Sequence, residues 1–318
     1  MPVPTLSGTV LRSRGGFYTV TTESGTHECQ LRGRLKRERQ SEDLVVPGDE
    51  VTLTPLGGGA DDGANGEATG LGQGVIEAVA PRRSRFSRRQ PGNRGTWKED
   101  LLVANLDQLL VVFACADPVP HVRMIDRFLV IAEHNEVEAV VVANKIDLCG
   151  MDVARATFDL YESVGYQVLY ASAYTGEGVD TLRERLAGRI SLLTGPSGVG
   201  KSTLLNAVQP GLHLATGEVS GVLHKGRHTT TLSELLPVDG PGGGYVVDSP
   251  GLRQIGLWDI PTEELAWCYP DLRPYLGACR FADCSHGPEP DCAINAAAKT
   301  GAISAARLDS YRRLVAST

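Results

Sequence analysis

Residues 195–202 read GPSGVGKS, and the tetrapeptide NKID stands upstream of them at 144–147. The octapeptide follows the apolar run ISLLT and opens the helical pattern STLLNAV, the setting in which Gly-x-x-x-x-Gly-Lys-Ser binds phosphate. A loop of this kind needs a strand before it and a helix after it, so it commits the surrounding chain to an α/β sheet. Most chains with both signals carry the Gly-rich loop first. The reversed order here demands either a chance match or a domain whose segments are joined in a different sequence.

Chemistry decides between the two. Gly195, Gly198 and Gly200, with Pro196, Ser197 and Val199 between them, let backbone N–H groups approach phosphate oxygens. The helix N-terminus that follows, through Thr203, adds the positive end of its dipole. Lys201 is placed to reach the terminal phosphates, and the Ser202 hydroxyl to coordinate Mg2+. Asn144, Lys145, Ile146 and Asp147 end the strand pattern AVVVA, where the loops of an α/β sheet converge on a ligand. The Asp147 carboxylate can accept two hydrogen bonds from the N1–H and exocyclic amine of guanine. Adenine offers no such pair, and an unpaired carboxylate costs ~1–3 kcal/mol or more, which selects GTP over ATP.

Three further segments agree. In YASA, at 170–173, Ser172 and Ala173 can turn backbone N–H groups toward the guanine oxygen. YVVDSPGL supplies Asp248 as a water-mediated Mg2+ partner and Gly251 as a backbone sensor of the γ-phosphate. GRHTTT, at 226–231, offers Thr229 or Thr230 to the Mg2+ shell. Leu252 occupies the position where many GTPases place a glutamine that orients water, so intrinsic turnover is expected to be slow. His228 is the side chain nominated for that catalytic role; a loop histidine without one fits the sequence equally. The motif order NKID, ASA, GPSGVGKS, HTT, DSPG resembles that of the circularly permuted GTPases, a rearrangement a sheet tolerates because loops and termini lie at its surface.

The rest of the 318 residues has to accommodate this domain. Residues 1–80 read as short strands in GTVLRSRGGFYTV, HECQL, VVPGDEVTL and GVIEAVA, which favours a small barrel of the OB type. The Gly- and Asp-rich segment 57–74 reads as a flexible loop of that barrel. Residues 81–99 read as a basic linker, with Arg82, Arg83, Arg85, Arg88, Arg89, Arg94 and Lys98 in it. From 100 to 255, strands are expected at 109–115, 138–143, 166–170, 190–194 and 244–248, and helices near 121–135, 152–164, 179–188 and 201–208, giving a parallel sheet covered by helices. Residues 256–318 read as a mainly helical region with two short helices bracketing Gly301.

The net charge of −7 excludes a uniformly basic nucleic-acid binder, yet the arginine run and a second one at 32–39 are local sites for RNA phosphate. The longest apolar runs, LLVVFACA and AVVVAN, are far short of a membrane span, and the N-terminus shows no secretory signal. A cytoplasmic protein with reduced cysteines is expected, without membrane contact and, lacking any oligomeric signal, monomeric. In CRFADCSHGPEPDC, Cys279, Cys284, His286 and Cys292 form a donor set for one structural Zn2+. Cys29, Cys115, Cys149 and Cys268 read as buried small hydrophobes.

Barrel, permuted GTPase with DSPGL, and Cys-x4-Cys-x-His-x5-Cys together resemble the ribosome small subunit-dependent GTPase A family (RsgA, also called YjeQ or EngC). VANLDQLLVVFA and MIDRFLVIAE resemble that family's approach to NKID. The resemblance implies a GTPase that binds the 30S subunit late in its maturation, is stimulated by it and leaves after hydrolysis to GDP. It also implies that the barrel and zinc domains contact 16S rRNA. The rivals are a permuted GTPase of the large subunit, a P-loop kinase or ATPase, and a nucleotide-gated RNA-binding scaffold with negligible turnover.

Overall fold

The computed structural model describes residues 5–38, 45–56, 71–91, 97–212, 233–248 and 260–317. The chain forms two compact units, one of residues 1–107, 186–192 and 212–253, the other of 108–185, 193–211 and 254–318.

The first unit begins with β1 (Leu6–Arg14), β2 (Phe17–Thr22) and β3 (Gly25–Leu31). A short helix α1 (Gly33–Glu38), β4 (Glu50–Leu56) and β5 (Gly72–Val79) follow. Hydrogen bonding runs β1-β2-β3-β5-β4, and β1 also pairs with β4, so five strands close into a barrel in the OB arrangement. The β3–β5 pair is parallel and the other pairs are antiparallel. Period-two alternation supplies the interior, with Val10, Tyr18, Val20, Cys29, Val51, Leu53 and Ile76 buried together. The Gly- and Asp-rich loop expected at 57–74 lies outside the described residues up to 70.

The basic stretch expected as a linker is instead folded. β6 (Arg85–Pro91) and β7 (Trp97–Ala104) pair as an antiparallel ribbon. Phe86 and Val103 face each other in its register and are both fully buried. Some of its arginines have structural work: Arg82 forks onto the buried carboxylate of Asp49 at 2.7 and 2.8 Å, and Arg83 meets Asp107 at 2.8 Å. A charge run is blind to such pairings, because the partners lie 33 and 24 residues away.

The second unit holds β8 (Gln108–Ala114), α2 (Val122–His134), β9 (Glu138–Asn144), α3 (Met151–Ser163), β10 (Gln167–Tyr170) and α4 (Val179–Leu186). β8, β9 and β10 are parallel neighbours, with Ala114 opposite Asn144 and Ala143 opposite Tyr170. All of β8 is buried, as a strand covered on both faces must be, and the one polar end, Gln108, donates to the Arg185 carbonyl at 2.9 Å. On α3 the helical period puts Ala154, Phe158 and Tyr161 on one buried stripe. These elements lie within two residues of the expected ends.

β11 (Ile190–Thr194) crosses from the first unit to the second, and α5 (Lys201–Val208) follows it. Within the first unit Ile190–Leu192 pair in parallel with β13 (Tyr245–Asp248), and β12 (Glu234–Pro237) lies antiparallel to β13. β12 meets β1 at Arg12 and Glu234. The sheet is therefore mixed, where a parallel one was expected; β12 is only four residues long and too short to signal itself.

In the second unit, α6 (Ala293–Lys299) and α7 (Ala305–Val315) are the two helices expected around Gly301. α7 carries Arg307, 1% exposed, whose guanidinium bonds Asp126 of α2 and forks onto Asp271 at 2.8 and 3.3 Å while lying 4.5 Å over the Tyr269 ring. Two carboxylates and one cation are buried together, and none is stable there alone. Arg307→Ala is expected to lower unfolding free energy by about 3–5 kcal/mol in chemical denaturation, and Arg307→Lys to recover only part, since an ammonium has no planar fork.

Candidate functional site

The phosphate-loop segment 195–200 leaves the end of β11 and enters α5. Its first and last glycines are required by contact. Gly195 has φ +138, and a Cβ there would stand 2.1 Å from the Val112 carbonyl of β8. Gly200 has φ +93, and its Cβ would stand 2.6 Å from the Asn144 amide nitrogen. Any side chain at either place would push the loop off the strand ends. The first-turn N–H groups of α5 have no partner within the helix, so a concentration of donors forms where the loop curls. Lys201 folds back over the loop and donates to the Gly195 and Pro196 carbonyls, both at 2.7 Å.

One buried polar contact brings the NKID segment to this loop, and a second, exposed one ties it to the loop after β8. Asn144, 1% exposed, donates through Nδ2 to the Val199 carbonyl at 2.8 Å, while its Oδ1 is buried without a partner among the described residues. Lys145 takes a left-handed backbone, φ 62, and its ammonium donates to the Asp117 carbonyl. Asp147 lies exposed in the single 3-10 turn Ile146–Leu148, and its carboxylate accepts a short hydrogen bond from the Ser172 hydroxyl. Ile146 is buried and donates its N–H to the Ala171 carbonyl at 3.3 Å. NKID, YASA and GPSGVGKS thus meet at the carboxyl ends of parallel strands, the usual place for a ligand in such sheets.

Ser172 differs from its expected part. Its backbone N–H is taken by the Glu177 carbonyl at 2.9 Å, and the contact it makes to the NKID turn is through its hydroxyl, which donates to Asp147. The turn 172–176 closes with Gly176 N–H on the Ser172 carbonyl. The loop after β8 was missed by sequence reasoning. Asp117 receives Lys145, and Pro118 lies 3.9 Å from the Cβ position of Gly198; position at a strand's carboxyl end was the available signal. Asp248 ends β13 in the first unit. His228, Thr229, Thr230, Gly251 and Leu252 lie outside the described residues.

Cys279, Cys284, His286 and Cys292 place their donor atoms within 4.8 Å of one another. The Cys279 thiol lies 3.5 Å from His286 Nδ1 and 3.9 Å from Cys292 Sγ, and Cys292 Sγ lies 3.7 Å from the same nitrogen. A tetrahedron with ~2.3 Å zinc–sulfur bonds has edges of ~3.8 Å, so the spacing fits Zn2+. Ionisation is divided among the ligands, since burial pushes the Cys284 thiol up to about 11. Burial pushes the Cys279 thiol up, but the Ala293 N–H in the first turn of α6 and the neighbouring thiols outweigh it and hold the group below the usual range. Burial holds His286 below its ordinary value, favouring the neutral imidazole a metal needs. α7 braces the loop: Arg312 donates to the His286 and Gly287 carbonyls at 3.2 and 2.9 Å, and Tyr311 to the Ser285 carbonyl at 3.3 Å.

The remaining cysteines divide. Cys29, Cys115 and Cys268 are buried, and burial pushes their thiols up to about 11, about 12 and about 12. Cys149 is only part-buried, because it follows the exposed NKID turn instead of facing a core. No described helix is long and apolar enough to cross a membrane.

The RsgA GTPase family model matches residues 79–258, and the RsgA N-terminal domain model matches 7–60. The small ribosomal subunit biogenesis GTPase RsgA of Gemmatimonas aurantiaca is 46% identical over 97% of this chain and 96% of its own. The protein of the same name from Moorella thermoacetica is 42% identical over 98% and 97%. Among solved structures, YjeQ from Thermotoga maritima superimposes with TM-score 0.75 at 35% identity, covering 99% of this chain and 98% of that one. YloQ, described as a circularly permuted GTPase, superimposes with TM-score 0.72 at 25% identity, covering 99% and 95%.

Asn144→Ala removes the donor on the Val199 carbonyl, and guanine-nucleotide affinity measured with a fluorescent GDP is expected to fall about 10-fold or more. Elemental analysis of the purified protein is expected to find one zinc per chain, lost in Cys292→Ser.

Proposed function

The chain belongs to the RsgA GTPase family and is a GTP hydrolase, and from that premise we propose that it acts in the cytoplasm, as a monomer, on the maturing small ribosomal subunit. It binds the subunit through 16S rRNA, hydrolyses GTP in a ribosome-stimulated way and leaves with GDP. The relatives named for small-subunit biogenesis, matched end to end, support the partner.

The observation that carries the nucleotide reading is the meeting of three segments at one sheet edge. Asn144 joins the base-reading turn to the phosphate loop, and Ser172 holds the Asp147 carboxylate in place. Asp147 takes the N1–H and amine of guanine, with the Ala173 N–H on the guanine oxygen. Gly195, Pro196, Ser197, Gly198, Val199 and Gly200 wrap the phosphates, and Lys201, released from its two carbonyls, follows the β- and γ-oxygens. Ser202, Asp248 through water, and Thr229 or Thr230 would hold the Mg2+ that accompanies GTP, which would supply positive charge for the transferring phosphoryl group. Gly251 senses the γ-phosphate. With leucine at 252, water positioning falls to His228 and to geometry completed on the subunit.

Residues 100–255 carry this chemistry, and a single structural Zn2+ organises 256–318. The barrel of 1–80 and the arginine-bearing 81–99 supply rRNA contacts.

GTP turnover with and without small subunits, with large subunits and ATP as controls, tests the proposal. Stimulation by small subunits alone is expected; equal stimulation by large subunits, or none, would overturn the assigned partner. Asp147→Asn is expected to weaken GDP binding about 100-fold while improving binding of xanthine nucleotides, whose exocyclic oxygen suits an amide donor.

A further inference from the structure

Beside the Cys3His cluster runs a groove of about 490 Å³, built from the 262–267 turn, the cysteine loop and the end of α7. Its size is that of a specific binding cleft. Two large aromatic side chains stand at it unprotected, Trp267 at 61% exposure and Phe281 at 43%. Neither is placed by a core, and apolar surface of this kind beside polar groups marks an interaction site.

The charge of the lining selects the occupant. Glu263 and Asp283 line the groove, no lysine or arginine does, and neither acid pairs with a cation among the described residues. The cysteine ligands add no positive charge, since Zn2+ bound by three thiolates and an imidazole keeps one net negative charge. RNA phosphate would meet carboxylates and thiolates in the lining, and the one guanidinium at its edge, Arg280, is already matched by Asp291. A guanidinium or ammonium would meet carboxylates and two aromatic faces, the pairing that favours cations. The molecule already shows this preference at the groove's edge, where the Arg280 guanidinium lies 5.5 Å over the Phe281 ring and is matched by Asp291 at 2.9 Å.

We propose that this groove binds an extended basic segment of a protein partner, with an arginine or lysine side chain seated between Trp267 and Phe281 and its charge met by Glu263 and Asp283. The groove is thus a protein-docking surface within a region expected from family resemblance to contact rRNA. It stands independently of the nucleotide site.

The test uses the full-length, zinc-loaded protein and a fluorescein-labelled nona-arginine peptide, read by anisotropy at physiological ionic strength. Trp267→Ala and the double variant Glu263→Gln/Asp283→Asn are each expected to weaken binding roughly 5-fold or more with zinc content unchanged. Glu162→Gln/Glu184→Gln removes the same charge from exposed positions on α3 and α4 and is expected to leave binding within about 2-fold. Equal loss in that control would reduce the effect to net charge and overturn the proposal. So would wild-type binding by both groove variants. Binding of labelled oligouridine that depends on Trp267 would assign the groove to RNA instead.

Discussion

One buried amide holds the nucleotide site together. Asn144 at the end of β9 reaches the carbonyl of Val199, 55 residues further along the chain, and fixes the phosphate loop against the turn that carries Asp147. The contact is available only because Gly200 has no side chain to fill the space beside that amide. Gly195 meets the same demand from β8. Sheet register, glycine and amide are therefore one constraint: Ala114 must stand opposite Asn144 for the two strand ends to receive the loop together. Such a constraint is indifferent to the order in which the chain visits the strands, which is the physical reason a permuted motif order preserves a working geometry.

Much of this was legible before any coordinates. β8 and β9 announce themselves as unbroken apolar runs because both faces are covered, and α2 and α3 by helical spacing of their buried residues. The Cys3His cluster is legible because three thiols and an imidazole within fourteen residues have few other uses. What escaped depends on distant partners. The arginines of 82–83 look like a surface until Asp49 and Asp107 are seen beside them. β6 and β7 are legible as a ribbon only through pairing with each other, and β12 is too short to have a period. The inward turn of the Ser172 N–H follows from a backbone bond to Glu177 that no side-chain identity reports.

The buried Arg307 explains why the cysteine-bearing region is no loose appendage. Its guanidinium draws α2 and the Asp271 segment onto α7, and the same helix, one turn further on, clamps the metal loop through Tyr311 and Arg312. A short loop with left-handed residues at His286 and Asp291 would not keep four donors in register unaided. The helix that anchors the region thus also shapes the groove beside it, since Tyr311 belongs to both.

The permuted order also sets a schedule for synthesis. A ribosome making this chain releases the five barrel strands before the phosphate loop, and the pairings among those five are complete by residue 79. The NKID turn emerges next, and the phosphate loop only some fifty residues later. A nascent chain in which domains fold as they appear therefore has a closed barrel before it can hold any nucleotide. An unpermuted GTPase exposes its phosphate loop near the start of the domain and can be occupied while half made. Here occupancy by GTP certifies that most of the protein has already been built.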